Sequence, residues 1–60
     1  MALKLIHVTD DHHGGKVTVN VDKIVYFFGM GNTTHIQFDG HFIFVKESYT
    51  DIQCMLQNII

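Results

Sequence analysis

Val17, Val19 and Val21 alternate with Lys16, Thr18 and Asn20, the period-two pattern of a strand with one face buried and one in water. Ile36 and Phe38 alternate with His35 and Gln37 in the same way. Two stretches do not alternate: Ile24 to Phe28, and Phe42 to Val45 in "HFIFV", are apolar on both parities, as in a strand with apolar surroundings on both sides. Between these runs lie "TDDHHGG", "GMGN" and "DG", each with glycine beside asparagine, aspartate or another glycine, the chemistry of tight reversals. Ser48 with Asp51 three residues on has the form of a capping box. Ile52, Met55, Leu56 and Ile59 then form a helical stripe opposite Gln53, Gln57 and Asn58. The pattern predicts strands over about residues 2–8, 16–21, 23–29, 33–38 and 41–46, and a helix over about 49–60. The expected fold is therefore α+β, in one domain: an antiparallel sheet of four to five strands with one C-terminal helix packed on one face.

One helix covers one face of such a sheet. If Ile43 and Val45 face it, Phe42 and Phe44 face away, with Phe27 or Phe28 beside them. An apolar sheet face left bare usually marks a contact site, and open strand edges are a second adhesive surface. Phe27, Phe42 and Phe44 are accordingly the expected protein-contact residues. The expected state is a homo-oligomer, a dimer or higher, with a further protein partner compatible with the same surface.

Size sharpens this expectation. A chain of 60 residues buries only about 60% of the surface exposed when unfolded, and the single cysteine, Cys54, cannot form a bridge within the chain. The lone thiol and the absence of a leader-like pattern point to a reducing, cytoplasmic setting. No apolar run approaches the roughly 18 residues of a membrane span, so no membrane insertion is expected.

Charge argues against a phosphate-driven role. There are four lysines, no arginine and a formal net charge of -2, whereas nucleic-acid affinity rests on several cations neutralising phosphates. The alternative reading, a small nucleic-acid-binding regulator, would use Lys16, Lys23 and His35, with exposed aromatics such as Tyr26 stacking on bases.

The most chemical-looking stretch is "TDDHHGG", Thr9 to Gly15. His12 and His13 are the candidate metal ligands, but zinc needs three or four converging donors, and there is neither a helical histidine pair nor a cysteine pair. The expected role is a polar hairpin connection. Cys54, beside the helical stripe, reads as a small hydrophobe, and no nucleophile–base pair or phosphate-cradling loop is visible. No enzymatic activity and no cofactor are expected.

"VNVDKIVYF" and "DGHFIFVKESYTDI" resemble the small flagellar FlbD family, in which a hairpin glycine is followed by a strand ending in V-K-E-S and a short amphipathic helix. Gly40, Val45, Lys46, Glu47 and Ser48 keep that spacing. The resemblance implies a small interaction or accessory protein. Read by themselves, the four residues of V-K-E-S do structural jobs: valine closes the strand, serine caps the helix, and lysine and glutamate solvate the corner. Asp22, Ile24, Tyr26, Asp39 and Gly40 also follow the strand rhythm of LytTR-type DNA-binding domains. That second resemblance implies a similar topology and, as the lesser alternative, DNA binding.

Overall fold

The computed structural model describes residues 3–59. Its elements are β1 (Leu5–Thr9), β2 (Lys16–Asn20), β3 (Ile24–Met30), β4 (Thr33–Phe38), β5 (His41–Val45) and α1 (Tyr49–Asn58). β1 begins later than the pattern predicts; Ala2, in the expected strand, and Ile60, in the expected helix, lie outside the described residues. The architecture is a small α+β fold with one C-terminal helix.

The strands do not form a single sheet. β1 and β2 pair as a two-stranded antiparallel hairpin, and β3, β4 and β5 form a separate three-stranded antiparallel sheet in that order. The expectation of four to five strands in one sheet is therefore corrected. The break falls at Val21–Lys23, a single 3₁₀ turn that ends β2 pairing. There the Val21 N–H donates to the Lys4 carbonyl at 2.9 Å, and the Asn20 side chain accepts from the Asp22 N–H at 3.1 Å. These bonds extend the β1–β2 ladder and bend the chain, so that β2 and β3 do not pair. At the other end the sheets touch through one bridge, Asp10 with Val45, flanked by Asp11 N–H to Phe44 carbonyl at 2.9 Å and Lys46 N–H to Thr9 carbonyl at 2.8 Å.

The β4–β5 hairpin turns at Asp39–Gly40, with Phe38 opposite His41. Gly40 has φ +83° and Asp39 does not have a positive φ, the φ pattern of a type II turn, which needs a left-handed residue only at its second central position. β3 carries a bulge at Val25, where the register shifts between Ile24 and Tyr26. A bulge inserts one residue and exchanges the faces beyond it. This explains why "IVYFF" looks apolar on both parities: Ile24 and Phe27 both pack on the core side.

Ile6, Val8, Val19, Ile36, Val45 and Ile52 are buried, with Val17, Ile24, Phe27, Phe38, Ile43, Met55, Leu56 and Ile59 packed around them. Thus the helical stripe, the inward parity of each strand and the hairpin valines meet in one small core. α1 starts at a complete capping box, in which the Ser48 hydroxyl accepts from Asp51 N–H at 3.2 Å and the Asp51 carboxylate accepts from Ser48 N–H at 3.4 Å. Its first residue lies close over β3: a Cβ on Gly29 would stand 3.1 Å from the Tyr49 Cβ, nearer than side chains comfortably approach.

The corner before α1 departs in part from the solvated one expected of its residues: Lys46 is exposed, but Glu47 is half-buried. The Glu47 carboxylate accepts from the Thr9 N–H at 2.8 Å and from the Thr9 hydroxyl at 3.0 Å. Its backbone carbonyl accepts from the hydroxyl of fully buried Thr34 at 2.7 Å. One residue therefore ties the hairpin, the three-stranded sheet and the helix entry together, and satisfies polar groups that would otherwise be costly to bury.

Candidate functional site

The outer face of the three-stranded sheet carries the molecule's most distinctive surface. Cross-strand register sets two rows on it: Tyr26, Gln37 and Phe42 in one, and Phe28, His35 and Phe44 in the next. Tyr26 is 51% exposed, Phe28 42%, Phe42 51% and Phe44 37%. His35 sits among them. Its ring lies nearly parallel to Phe28 and Phe42, with centroids 4.6 and 4.7 Å away, and edge-on to Phe44 at 5.3 Å. Tyr26 continues the stack at 6.2 Å from His35. Such distances are those of favourable ring pairs.

The polar atoms within this face are tied down. His35 Nε2 pairs with Gln37 Oε1 at 3.0 Å, while the Gln37 amide donates to the Phe38 and His41 carbonyls at 2.9 and 3.0 Å. Gln37 and His35 are thus oriented by the β4–β5 hairpin beneath them. Met30, 49% exposed, pairs with Thr33 at the end of the same sheet. Among Tyr26, Phe28, Met30, Thr33, His35, Gln37, Phe42 and Phe44 there is no aspartate, glutamate, lysine or arginine.

Of the three residues expected as protein contacts, Phe42 and Phe44 lie in this cluster. Phe27 does not: it packs on the core side with its ring 5.2 Å from Tyr49. Phe28 takes the position beside Phe42 and Phe44, because the bulge at Val25 reverses the parity counted from Ile24. Counting back from the β3–β4 turn, where Met30 meets Thr33, places Phe28 opposite His35 and so finds it. The sequence signal was present at that end of the strand.

The other candidates fall elsewhere. In the loop after β1, the Asp10 carboxylate accepts from His13 N–H at 2.7 Å and pairs with the His13 ring at 3.0 Å. The His13 backbone N–H above all, and then its side chain, hold the Asp10 carboxyl below its ordinary value of 3.8. His12 stacks edge-on against His13 at 4.3 Å. Among the described residues, no three histidine, cysteine, aspartate or glutamate side chains converge in a metal-binding arrangement. The loop closes with Asp10 N–H to Gly15 carbonyl and Gly14 N–H to Asp10 carbonyl, both at 2.8 Å. Its tip borders the aromatic face, sharing a shallow depression with Phe42, Ile43 and Phe44.

Lys16, Lys23 and His35 occupy three separate parts of the fold. Lys16 donates to the Thr9 hydroxyl at 3.1 Å at the start of β2. Lys23 borders an apolar cleft of about 400 Å³ where the two sheets part, floored by Val17, Val19, Phe38 and Ile43. Cys54 is exposed on α1. Among the described residues no helix is long and apolar enough to cross a membrane.

No family model, curated protein or solved structure matches the chain.

Proposed function

We propose that this protein is a non-enzymatic, self-associating interaction or assembly module of the FlbD-like kind, acting in the cytoplasm. It uses the aromatic face of the three-stranded sheet as its contact surface. The observation that carries this reading is the continuous cluster of Tyr26, Phe28, Phe42 and Phe44 around His35, exposed and without an ionised carboxylate, ammonium or guanidinium group.

At about 200 Å² for a fully exposed large side chain, the four rings and Met30 present roughly 450 Å² to solvent. Patches of this size on small proteins are often functional. Because no fixed charge lies among these rings, a second copy can cover them without burying a charge, while Asp10 and Asp11 stay at the rim beside Phe42 and Phe44. A core of this size also gains from association, since small domains bury too little surface to be very stable alone. The test is sedimentation over a range of concentrations. The native chain should associate, and Phe42→Asp and Phe44→Asp should shift it to smaller species; a monomeric mass at every concentration contradicts the proposal.

The near-parallel rings of Phe28, His35 and Phe42 favour a second reading: a sheet platform on which bases stack, as in a small nucleic-acid-binding regulator. The dispersed lysines and the net charge of -2 weigh against it. Nucleic-acid binding that weakens steeply with salt and is lost in Phe42→Ala would replace the first reading.

A further inference from the structure

β3 is the outer strand of its sheet. One edge pairs with β4, and the other pairs with no strand among the described residues. Soluble proteins usually blunt such edges with lysine, proline, a bulge or a covering element. The β3 sequence, IVYFFGM, has no charged residue and no proline. Its bulge at Val25 affects only the start of the strand, which leaves Tyr26 to Met30 regular and largely exposed.

Resting on the self-association reading above, we propose that a second copy of this chain pairs with this edge, β3 antiparallel to β3, about a two-fold axis through Phe28. A two-fold contact sets residue i against j and j against i. The longest stretch free of both the bulge and the β3–β4 turn is Tyr26 to Met30, and its middle residue is Phe28. Phe28 then faces Phe28 of the second copy, and Tyr26 faces Met30 of the second copy, all on the aromatic side. On the core side, Phe27 faces Gly29 of the second copy, and the space over that glycine is filled by Tyr49, which also packs on Phe27.

The area favours a joined aromatic face over a single one, which edge pairing provides. Two single copies stacked face to face would bury about 900 Å² of the four rings and Met30, less than the roughly 1,200 Å² at which stable interfaces begin. Pairing at β3 makes one six-stranded sheet and joins the two aromatic faces. Stacking two such sheets buries up to about 1,800 Å² of these side chains, less whatever the paired edge already covers, which reaches the usual range. The occupant of the edge is thus a second copy, and the occupant of the joined face is another pair.

Cysteine cross-linking in a Cys54→Ser background tests the register, because directly opposed strand residues have Cα atoms within disulfide reach. Phe28→Cys should form a covalent dimer on mild oxidation. Tyr26→Cys mixed with Met30→Cys should form the mixed dimer in preference to either self-dimer. Native-chain hydrogen exchange gives a readout without substitution: the outward-facing amides of Tyr26 to Met30 should exchange at least about tenfold more slowly in concentrated than in dilute solution. If sedimentation shows association, but these amides are unprotected and Phe42→Cys cross-links in place of Phe28→Cys, the edge-paired geometry is overturned and self-association stands. A monomer at all concentrations overturns both.

Discussion

Truncating Phe42 to alanine separates the fold from the contact. The ring projects from the outer face, with centroids 4.7 Å from His35 and 5.3 Å from Phe44, and is half exposed; the core lies on the opposite side of the sheet, so no internal cavity opens. Two ring pairs at roughly 0.5–1.5 kcal/mol each give a loss of about 2 kcal/mol in the single copy. For a domain of this size that corresponds to a Tm lower by roughly 8–16 °C. In the contact, the exposed half of the ring amounts to about 100 Å², or roughly 2.5 kcal/mol of transfer free energy. A two-fold contact loses this twice, an upper limit of about 5 kcal/mol, or more than a thousandfold in Kd. Sedimentation equilibrium and thermal melts of Phe42→Ala, with solvent-facing Gln53→Ala as control, should show weakened association together with this fall in Tm. If Tm falls as expected but association matches the native chain, Phe42 supports the fold alone and takes no part in the contact.

Other substitutions probe the joints of the fold. Glu47→Ala removes two charge-assisted bonds to Thr9 and should cost roughly 3 kcal/mol or more. This is a large part of the approximately 3–9 kcal/mol available to a chain of this length; urea unfolding should show it, with Glu47→Gln recovering part, and an unchanged midpoint refutes the clamp. Gly40→Ala, at φ +83° in open space, should cost about 1–2 kcal/mol through backbone strain alone, with Gly40→Asn milder in the same assay. The lowered pKa of Asp10 has a definite sign: its carboxylate contributes stability above the unfolded value of 3.8, and that contribution is lost as pH falls through the lower folded value. Native protein should therefore lose stability on acidification below pH 3.8 more than Asp10→Asn does; parallel acid profiles contradict this.

Where one residue fixes one local choice, the sequence is a good guide to this fold. The Val17–Val19 alternation, the Ser48 cap and the Ile52–Ile59 stripe each become the element they imply. The pairing between elements is less legible. Both hairpin partners of the 3₁₀ turn at Val21–Lys23 are good strands, and only the bonds at Lys4 and Asn20 show that the turn ends pairing and splits the sheet. The bulge at Val25 has no signature in "KIVYF", yet it decides that Phe28 rather than Phe27 reaches the outer face. Glu47 was hidden for a different reason: its partner Thr9 is distant in sequence, and a carboxylate near a helix start already has an ordinary explanation in the helix dipole. The bare sheet face was legible because it follows from counting apolar residues against one available helix.

Sedimentation equilibrium of the native chain across dilute and concentrated solution tests self-association itself. Reversible association beyond the 6.9 kDa monomer, weakened by charge at Phe42 or Phe44, is the predicted result. A single 6.9 kDa species at every concentration would contradict it.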